Sequence, residues 1–470
     1  MKKKEETSLH FVGIGGIGMS GIAEVFLNQG YRVSGSDLIE SETTKRLSSL
    51  GAQIYLGHRI ENVADSNVVI VSSAVKDTNP EVSEAKRRRI PVIPRAEMLG
   101  ELMRGKLGIA VAGTHGKTTT TSLLSTVLTA AGMDPTLVIG GKVDSFGGNA
   151  KLGKGRYVVA EADESDGSFL HLPATYGIVT NIDNDHLDHF GSLCALEDAF
   201  VSFVGKLPFY GLAAVCGEDP GVKRCLDRWT KPFMTYGFSE EWNLYAQDIV
   251  FEGLGSHFKV FHREGTIGNS KYLGTVQLFV PGKHNILNSL GCILIALQLG
   301  IPFETISQGL FEFRGVKRRF DIRWQDEETR RLIVDDYGHH PSEITATLEA
   351  ARIFWPGRII SVFQPHRYTR TMHCREGFLS AFRQSDIVLV SDIYSAGEDP
   401  IPGVTSAALV TDIQKAAHPN QQIFYTGSLK STRDFILNLF KNGDLVLCLG
   451  AGSITRLPEQ IISETVENLV

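Results

Sequence analysis

Leu107-Gly-Ile-Ala-Val-Ala-Gly-Thr-His-Gly-Lys-Thr-Thr-Thr-Thr121 runs from an apolar strand through a glycine-flanked turn into a proline-free helix. That order builds a phosphate-binding loop. Backbone N–H groups and a helix N-terminus face an anion, Lys117 reaches the β- and γ-phosphates, and the Thr118 hydroxyl meets Mg2+. The usual G-x-x-x-x-G-K-[ST] spacing is incomplete, because Val111 stands at its first glycine. The loop is instead Gly113-Thr114-His115-Gly116-Lys117-Thr118.

Upstream, residues 9–104 alternate short β runs with helical stretches, the βαβ rhythm of a parallel sheet. Its first turn reads Gly13-Ile-Gly15-Gly16-Ile17-Gly18, a G-x-G-x-x-G between strand and helix, and Asp37 follows the next strand. This pattern places a pyrophosphate over a helix N-terminus and an acid near a ribose hydroxyl. NAD(P) and a UDP-sugar both satisfy it.

Downstream, the strand Arg156–Ala160 delivers Glu161-Ala-Asp-Glu-Ser-Asp-Gly167 at its end. Carboxylates there stand where a loop nucleotidase keeps a metal ligand. The strand Tyr176–Thr180 ends in Asn181-Ile-Asp-Asn-Asp-His186-Leu-Asp188-His189, which reads as a second metal group or as a solvated turn. Pro281-Gly-Lys-His284-Asn285-Ile-Leu-Asn288 opens an apolar helix, with Asn285 and Asn288 on one face. It either caps that helix or contacts the adenine. From residue 316, four strands give way in turn to Asp335-Asp336-Tyr337-Gly-His339-His340, to Gln364-Pro-His-Arg367-Tyr-Thr-Arg370, to Tyr394-Ser-Ala-Gly-Glu398 and to Gly450-Ala-Gly-Ser453. All four groups belong to one carboxyl edge, where open α/β sheets bind ligands.

The 470 residues suffice for about three domains. We divide them at 1–105, 106–315 and 316–470. Hydrophobic residues make up 42% and charged residues 21%, and the net charge is −6, so no global field favours nucleic acid. Lys86-Arg-Arg-Arg89 reads as a solvated helical face. Six cysteines without a C-x-x-C pair read as buried, reduced thiols of a cytoplasmic protein. No apolar run approaches the length of a membrane span, so no membrane insertion is expected.

In their order and spacing, Gly13–Gly21, Gly113–Thr120, Glu161–Asp166, Asp185–Asp188, Gly282–Asn285, Asp336–Pro341 and His366–Arg370 resemble the Mur ligases of peptidoglycan synthesis over essentially the whole chain. The resemblance implies three α/β domains: an N-terminal Rossmann-like one for the UDP moiety, a central phosphate-loop ATPase and a C-terminal Rossmann-like one. It implies ATP-dependent amide formation through an acyl phosphate, in the branch that joins L-alanine to UDP-N-acetylmuramate. A rival branch attaches a ready-made tripeptide to the same acceptor, and an NAD(P) oxidoreductase is the alternative from another class.

The resemblance also assigns roles. Lys117, Glu161, His186 and His339 would be catalytic. Thr118, Glu161 and His186 would hold Mg2+, two ions in all, with Mn2+ as a substitute. ATP would meet Gly113, Thr114, His115, Gly116, Lys117, Thr118, Thr119, His284, Asn285, Arg319 and Asp336. The UDP-sugar would meet Gly15, Gly16, Ile17, Gly18, Asp37, Ser72, Ser73 and His115. Tyr337, His339, Arg367 and Arg370 would surround the amino acid, since an arginine fork suits a carboxylate. The expected assembly is a monomer or dimer.

Overall fold

The computed structural model describes residues 4–72, 74–143, 148–265 and 269–467. Ser73 and the side chains of Ile17 and Asp188 lie outside the described residues. By contact density the chain forms two compact units. One holds residues 1–248, 258–276 and 287–313, and the other residues 249–257, 277–286 and 314–470.

The first strands are β1 (Ser8–Val12), β2 (Arg32–Asp37), β3 (Gln53–Leu56), β4 (Val68–Val71) and β5 (Val92–Pro94). They pair in parallel in the order β3-β2-β1-β4-β5. The order reverses between β1 and β4, and the glycine-rich turn after β1 opens onto that switch point, where such sheets bind ligands.

The central strands follow as β6 (Leu107–Ala112), β7 (Thr136–Val143), β8 (Gly148–Lys151), β9 (Tyr157–Glu161) and β10 (Tyr176–Val179). Next come β11 (Leu212–Cys216), β12 (Phe233–Gly237), β13 (Leu244–Glu252), β14 (Gly255–Arg263) and β15 (Ser270–Leu278). Their order is β15-β14-β13-β12-β11-β10-β6-β9-β7-β8. Both β9 and β10 pair with β6 in parallel. The phosphate loop, the acidic group and the His186 group therefore leave three neighbouring strands at the same edge.

The remaining strands are β16 (Asp321–Asp326), β17 (Arg331–Asp336), β18 (Ile359–Phe363), β19 (Ile387–Ser391), β20 (Gln422–Gly427) and β21 (Leu445–Leu449). They lie in the order β16-β17-β21-β18-β19-β20, parallel except for the antiparallel edge strand β16. Alternate residues of β21 enter separate cores: Leu445, Leu447 and Leu449 on one face, Val446 and Cys448 on the other. Burial on both faces explains its unbroken apolar run.

The α/β, parallel-sheet expectation is borne out. The cysteine reading needs one correction: all six are free, but Cys194, in the first turn of the helix Leu193–Gly205, is exposed, and Cys374, between the helices Tyr368–His373 and Arg375–Ala381, is half-buried. Lys86–Arg89 is exposed, as a solvated face would be, with surface ion pairs along it. Arg87 and Arg88 both pair with Glu84, and Lys86 pairs with Asp77.

Candidate active site

In the first unit, the phosphate loop owes its shape to two glycines with positive φ. Gly113 has φ +133° and Gly116, which precedes the helix Lys117–Ala130, has φ +82°. Side-chain-bearing residues resist both conformations. A Cβ at Gly113 would overlap the Thr180 hydroxyl, and one at Gly116 would stand 2.8 Å from Asn288 Oδ1. The segment after β10 laces the loop in place. Thr180 Oγ1 donates to the His115 carbonyl at 2.6 Å, and Asn181 Oδ1 accepts from the His115 N–H at 2.8 Å. Asp183 N–H donates to Thr114 Oγ1 at 2.9 Å, and the Asp183 carboxylate lies 3.0 Å from His115 Nε2.

Lys117 is surrounded by oxygen. Its Nζ donates to Gly113 O at 2.6 Å and Thr114 O at 3.1 Å, and meets the two Glu164 oxygens at 2.9 and 2.8 Å. Burial pulls the ammonium's pKa down, but the Glu164 and Asp163 carboxylates outweigh it and hold it above the usual lysine value. Burial in turn raises the Glu164 carboxyl above its usual range, and the adjoining Lys117 ammonium opposes that shift. Thr118 Oγ1 donates to Glu161 Oε2 at 3.2 Å, while Glu161 Oε1 accepts from Gly140 N–H at 2.5 Å. Thr118 and Glu161 thus bring a hydroxyl and a carboxylate together, the oxygen donors that Mg2+ prefers. His186, at φ +57°, points Nε2 to within 3.6 Å of Glu164. An imidazole is a poorer Mg2+ ligand, so the fit is good at Thr118 and Glu161 and weaker at His186. Thr119 is buried in the first turn of the helix.

At the switch point of the first sheet, Gly15 N–H donates to Asp37 Oδ2 at 2.9 Å, so the acid expected to meet a ribose also pins the glycine turn. Gly16 caps the helix Ile17–Asn28. A Cβ at Gly18 would overlap the Arg95 guanidinium, whose other nitrogen reaches Asp163 at 3.0 Å. The Ser72 carbonyl accepts from Val75 N–H at 3.1 Å in the turn after β4.

In the second unit, Asp336 ends β17 fully enclosed. Its oxygens accept from Phe320 N–H and Gly338 N–H, each at 2.7 Å, and burial pushes its carboxyl up to about 6. The Arg318 and Arg319 guanidinia lie over the Tyr337 ring at 4.7 and 5.1 Å. The His339 ring packs edge-on against Tyr337 at 5.3 Å. His339 also stands 5.7 Å from His366, which stacks on Tyr394 at 5.5 Å. Arg370 Nη1 lies 3.3 Å from His366 Nδ1, and Arg367 Nε pairs with Glu398 at 3.1 Å. His284 belongs to this unit, held well below its usual range, at about 4, by burial and by Arg319. The Asn285 amide donates to Pro281 O at 2.7 Å.

The structure therefore gathers Lys117, Thr118, Glu161 and His186 in one unit and Tyr337, His339, Arg367 and Arg370 in the other. Arg95 was given no role by sequence reasoning, and Glu164, Asn288, His366 and Tyr394 were read only as members of their motifs, with no site role of their own. For Asn288 the i, i+3 spacing with Asn285 was the signal that placed it on one helical face with that residue. For Arg95, 68 residues from its partner Asp163, there was none.

A phosphate loop braced by acidic and imidazole groups, in a chain with two further mostly parallel sheets, defines an α/β enzyme of phosphoryl chemistry. Three family models match in succession: the Mur ligase family catalytic domain at residues 8–107, the Mur ligase middle domain at 111–296 and the Mur ligase glutamate ligase domain at 318–452. The chain belongs to the Mur ligase family. It is 51% identical to a UDP-N-acetylmuramate–L-alanine ligase of Trichlorobacter lovleyi, covering 97% of this chain and 98% of that protein. It is 52% identical to the ligase of the same name from Geobacter sulfurreducens, with 98% of each chain covered. The crystal structure of the UDP-N-acetylmuramate–alanine ligase of Thermotoga maritima matches at TM-score 0.82 and 30% identity, over 98% of this chain and 99% of that one.

Proposed function

We propose that this enzyme joins L-alanine to the muramic carboxylate of UDP-N-acetylmuramate at the expense of ATP, a step in peptidoglycan precursor synthesis. The observation that carries the reading is likeness over nearly the full length to ligases bearing that activity in their names. The assigned groups fit it.

The muramic carboxylate oxygen attacks the γ-phosphorus, the bond to ADP breaks, and an acyl phosphate forms. The alanine amine then attacks the acyl carbon, phosphate leaves with the bonding pair, and the amine's proton passes to solvent. Lys117 neutralises charge on the transferring phosphoryl group. The loop amides, arranged by Gly113 and Gly116, hold the β- and γ-phosphates. Thr118 and Glu161 would hold one Mg2+ and His186 a second, which when bound offset the repulsion between phosphate and carboxylate. The turn Gly15–Gly18 takes the UDP pyrophosphate, with Asp37 and the Ser72 turn beside the uridine. Arg367 and Arg370 take the alanine carboxylate, and His339 and Tyr337 line the same edge. Asp336, Arg319, His284 and Asn285 serve the nucleotide. The three domain spans 1–105, 106–315 and 316–470 divide this labour.

No helix among the described residues is long and apolar enough to cross a membrane. We place the reaction in the cytoplasm, where ATP is available, with the chain acting as a monomer or dimer.

Phosphate release should require UDP-N-acetylmuramate, L-alanine and Mg2+ together. ATP turnover that is unchanged when either acceptor is left out would sink the reading.

A further inference from the structure

We propose that Glu164 is the positioning residue for the phosphoryl-transfer step: its carboxylate holds the Lys117 ammonium at the mouth of the phosphate loop. The inference rests on the ligase reading above, in which Lys117 meets the transferring group.

The fold fixes Glu164 independently of Lys117. Three residues beyond the end of β9, its carbonyl accepts from Gly167 N–H at 2.8 Å, closing a turn. Gly167, at φ +70°, leads into the short helix Ser168–His171. There Phe169 is sunk in the core, stacked on Phe203 at 5.3 Å with an interplanar angle of 20°. On the other side, Asp163 is tied to Arg95 at 3.0 Å. The strap is thus anchored at both ends, and the Glu164 side chain between them has no solvent exposure.

Lys117 has no such anchor of its own. A lysine side chain is a flexible four-carbon stem, and its neutral partners, Gly113 O and Thr114 O, lie in its own loop. Those carbonyls alone would fold the ammonium back onto residues 113–114. Glu164 opposes them with a charged acceptor at 2.9 and 2.8 Å, from a strap anchored outside the loop. The same carboxylate stands 3.6 Å from His186 Nε2, so one side chain lies beside two groups assigned to the reaction. Preorganised charge of this kind lowers a barrier because nothing has to reorient when the phosphoryl group moves.

The test compares Glu164→Gln, nearly isosteric but uncharged, with Glu164→Asp, charged but shorter. Three quantities are measured: kcat at saturating substrates, ADP affinity by titration calorimetry and the thermal midpoint. We expect Glu164→Gln to lower kcat by about 10- to 100-fold, with ADP affinity falling by a smaller factor because ADP keeps the β-phosphate that Lys117 meets but has no γ-phosphate, and Glu164→Asp to fall between Gln and wild type. Wild-type kcat preserved in Glu164→Gln would overturn the proposal. So would faster ATP hydrolysis without acceptor, which would make Glu164 a mask for Lys117. A parallel loss of kcat, ADP affinity and thermal midpoint would reduce it to a scaffold residue. If Glu164→Gln does not fold, the split between kcat and ADP affinity in Glu164→Asp decides. The wild-type assay with each acceptor omitted tests the ligase reading separately.

Discussion

At His366, burial and the guanidinia of Arg370 and Arg367 act in one direction and push the imidazole down to about 4. The geometry agrees: Arg370 can only donate, so the ring nitrogen 3.3 Å from it accepts with a lone pair that protonation would remove. The unfolded chain has the ordinary histidine value near 6.5, so between about pH 6.5 and 4 it binds more protons than the folded one. This contribution to stability is therefore complete above pH 6.5 and is lost as pH falls toward 4. Between pH 7 and pH 5, wild type should lose about 1–2 kcal/mol more than His366→Asn. Asp336, pushed the other way by burial, is common to both proteins and cancels in the comparison. Urea unfolding of both at the two pH values reads the difference; equal losses would mean that the ring is not held neutral. His366 was quoted in the sequence as part of a strand-end group, but its charge state was not legible there. That state depends on Arg370, in the helix that begins two residues after His366, and on burial, which only the folded chain supplies.

Elements were legible where their signal is local. The strand–loop–helix at Leu107–Ala130 could be read because an apolar run, two glycines and a proline-free helix follow one another without interruption. Each strand that delivers one of the quoted motifs was likewise announced by a β-rich run followed by polar residues. The edge strand β16 and the strands β13, β14 and β15 were not: half-exposed stretches such as Leu244–Glu252 lack the continuous apolar run of a doubly covered strand. The bracing of the loop was equally hidden, since His115–Asp183 and Lys117–Glu164 join residues 68 and 47 positions apart. At this scale the two loop glycines make different demands. Gly113→Ala places a Cβ on the Thr180 hydroxyl at φ +133°, so the strand end itself must shift. A lowered thermal midpoint together with lost activity is expected. Gly116→Ala meets only the Asn288 amide, a side chain that can rotate, at the cost of about 1 kcal/mol for the left-handed backbone. That variant should fold, with an ATP KM raised more than about tenfold. Thermal melts and ATP titrations of the pair check both; a Gly113→Ala protein as stable and active as wild type would remove the close approach to Thr180 from the argument.

Across the whole molecule, two glycine-rich strand–helix turns compete for any diphosphate: Gly13–Gly18 after β1 and Gly113–Gly116 after β6. Chemistry alone does not separate them, because both present amides at a helix N-terminus. Their surroundings do. The first turn has Asp37 held against Gly15 and Arg95 across Gly18, suiting a ribose and a diphosphate. The second has Lys117, Thr118 and Glu161, suiting a triphosphate with its metal. UDP without ATP should therefore slow amide hydrogen exchange at Gly13–Gly18 and in the segment after Asp37, and leave Gly113–Thr119 unchanged. By mass action, UDP at 100 times its dissociation constant stabilises what it binds by about 2.7 kcal/mol, an upper limit of roughly 100-fold slowing for amides that exchange only when UDP leaves. ADP with Mg2+ should give the reverse pattern, protecting Gly113–Thr119 and not Gly13–Gly18. Protection of the second turn by UDP, with the first unaffected, would overturn the assignment of the N-terminal sheet to the UDP moiety while leaving the phosphate loop's role in place.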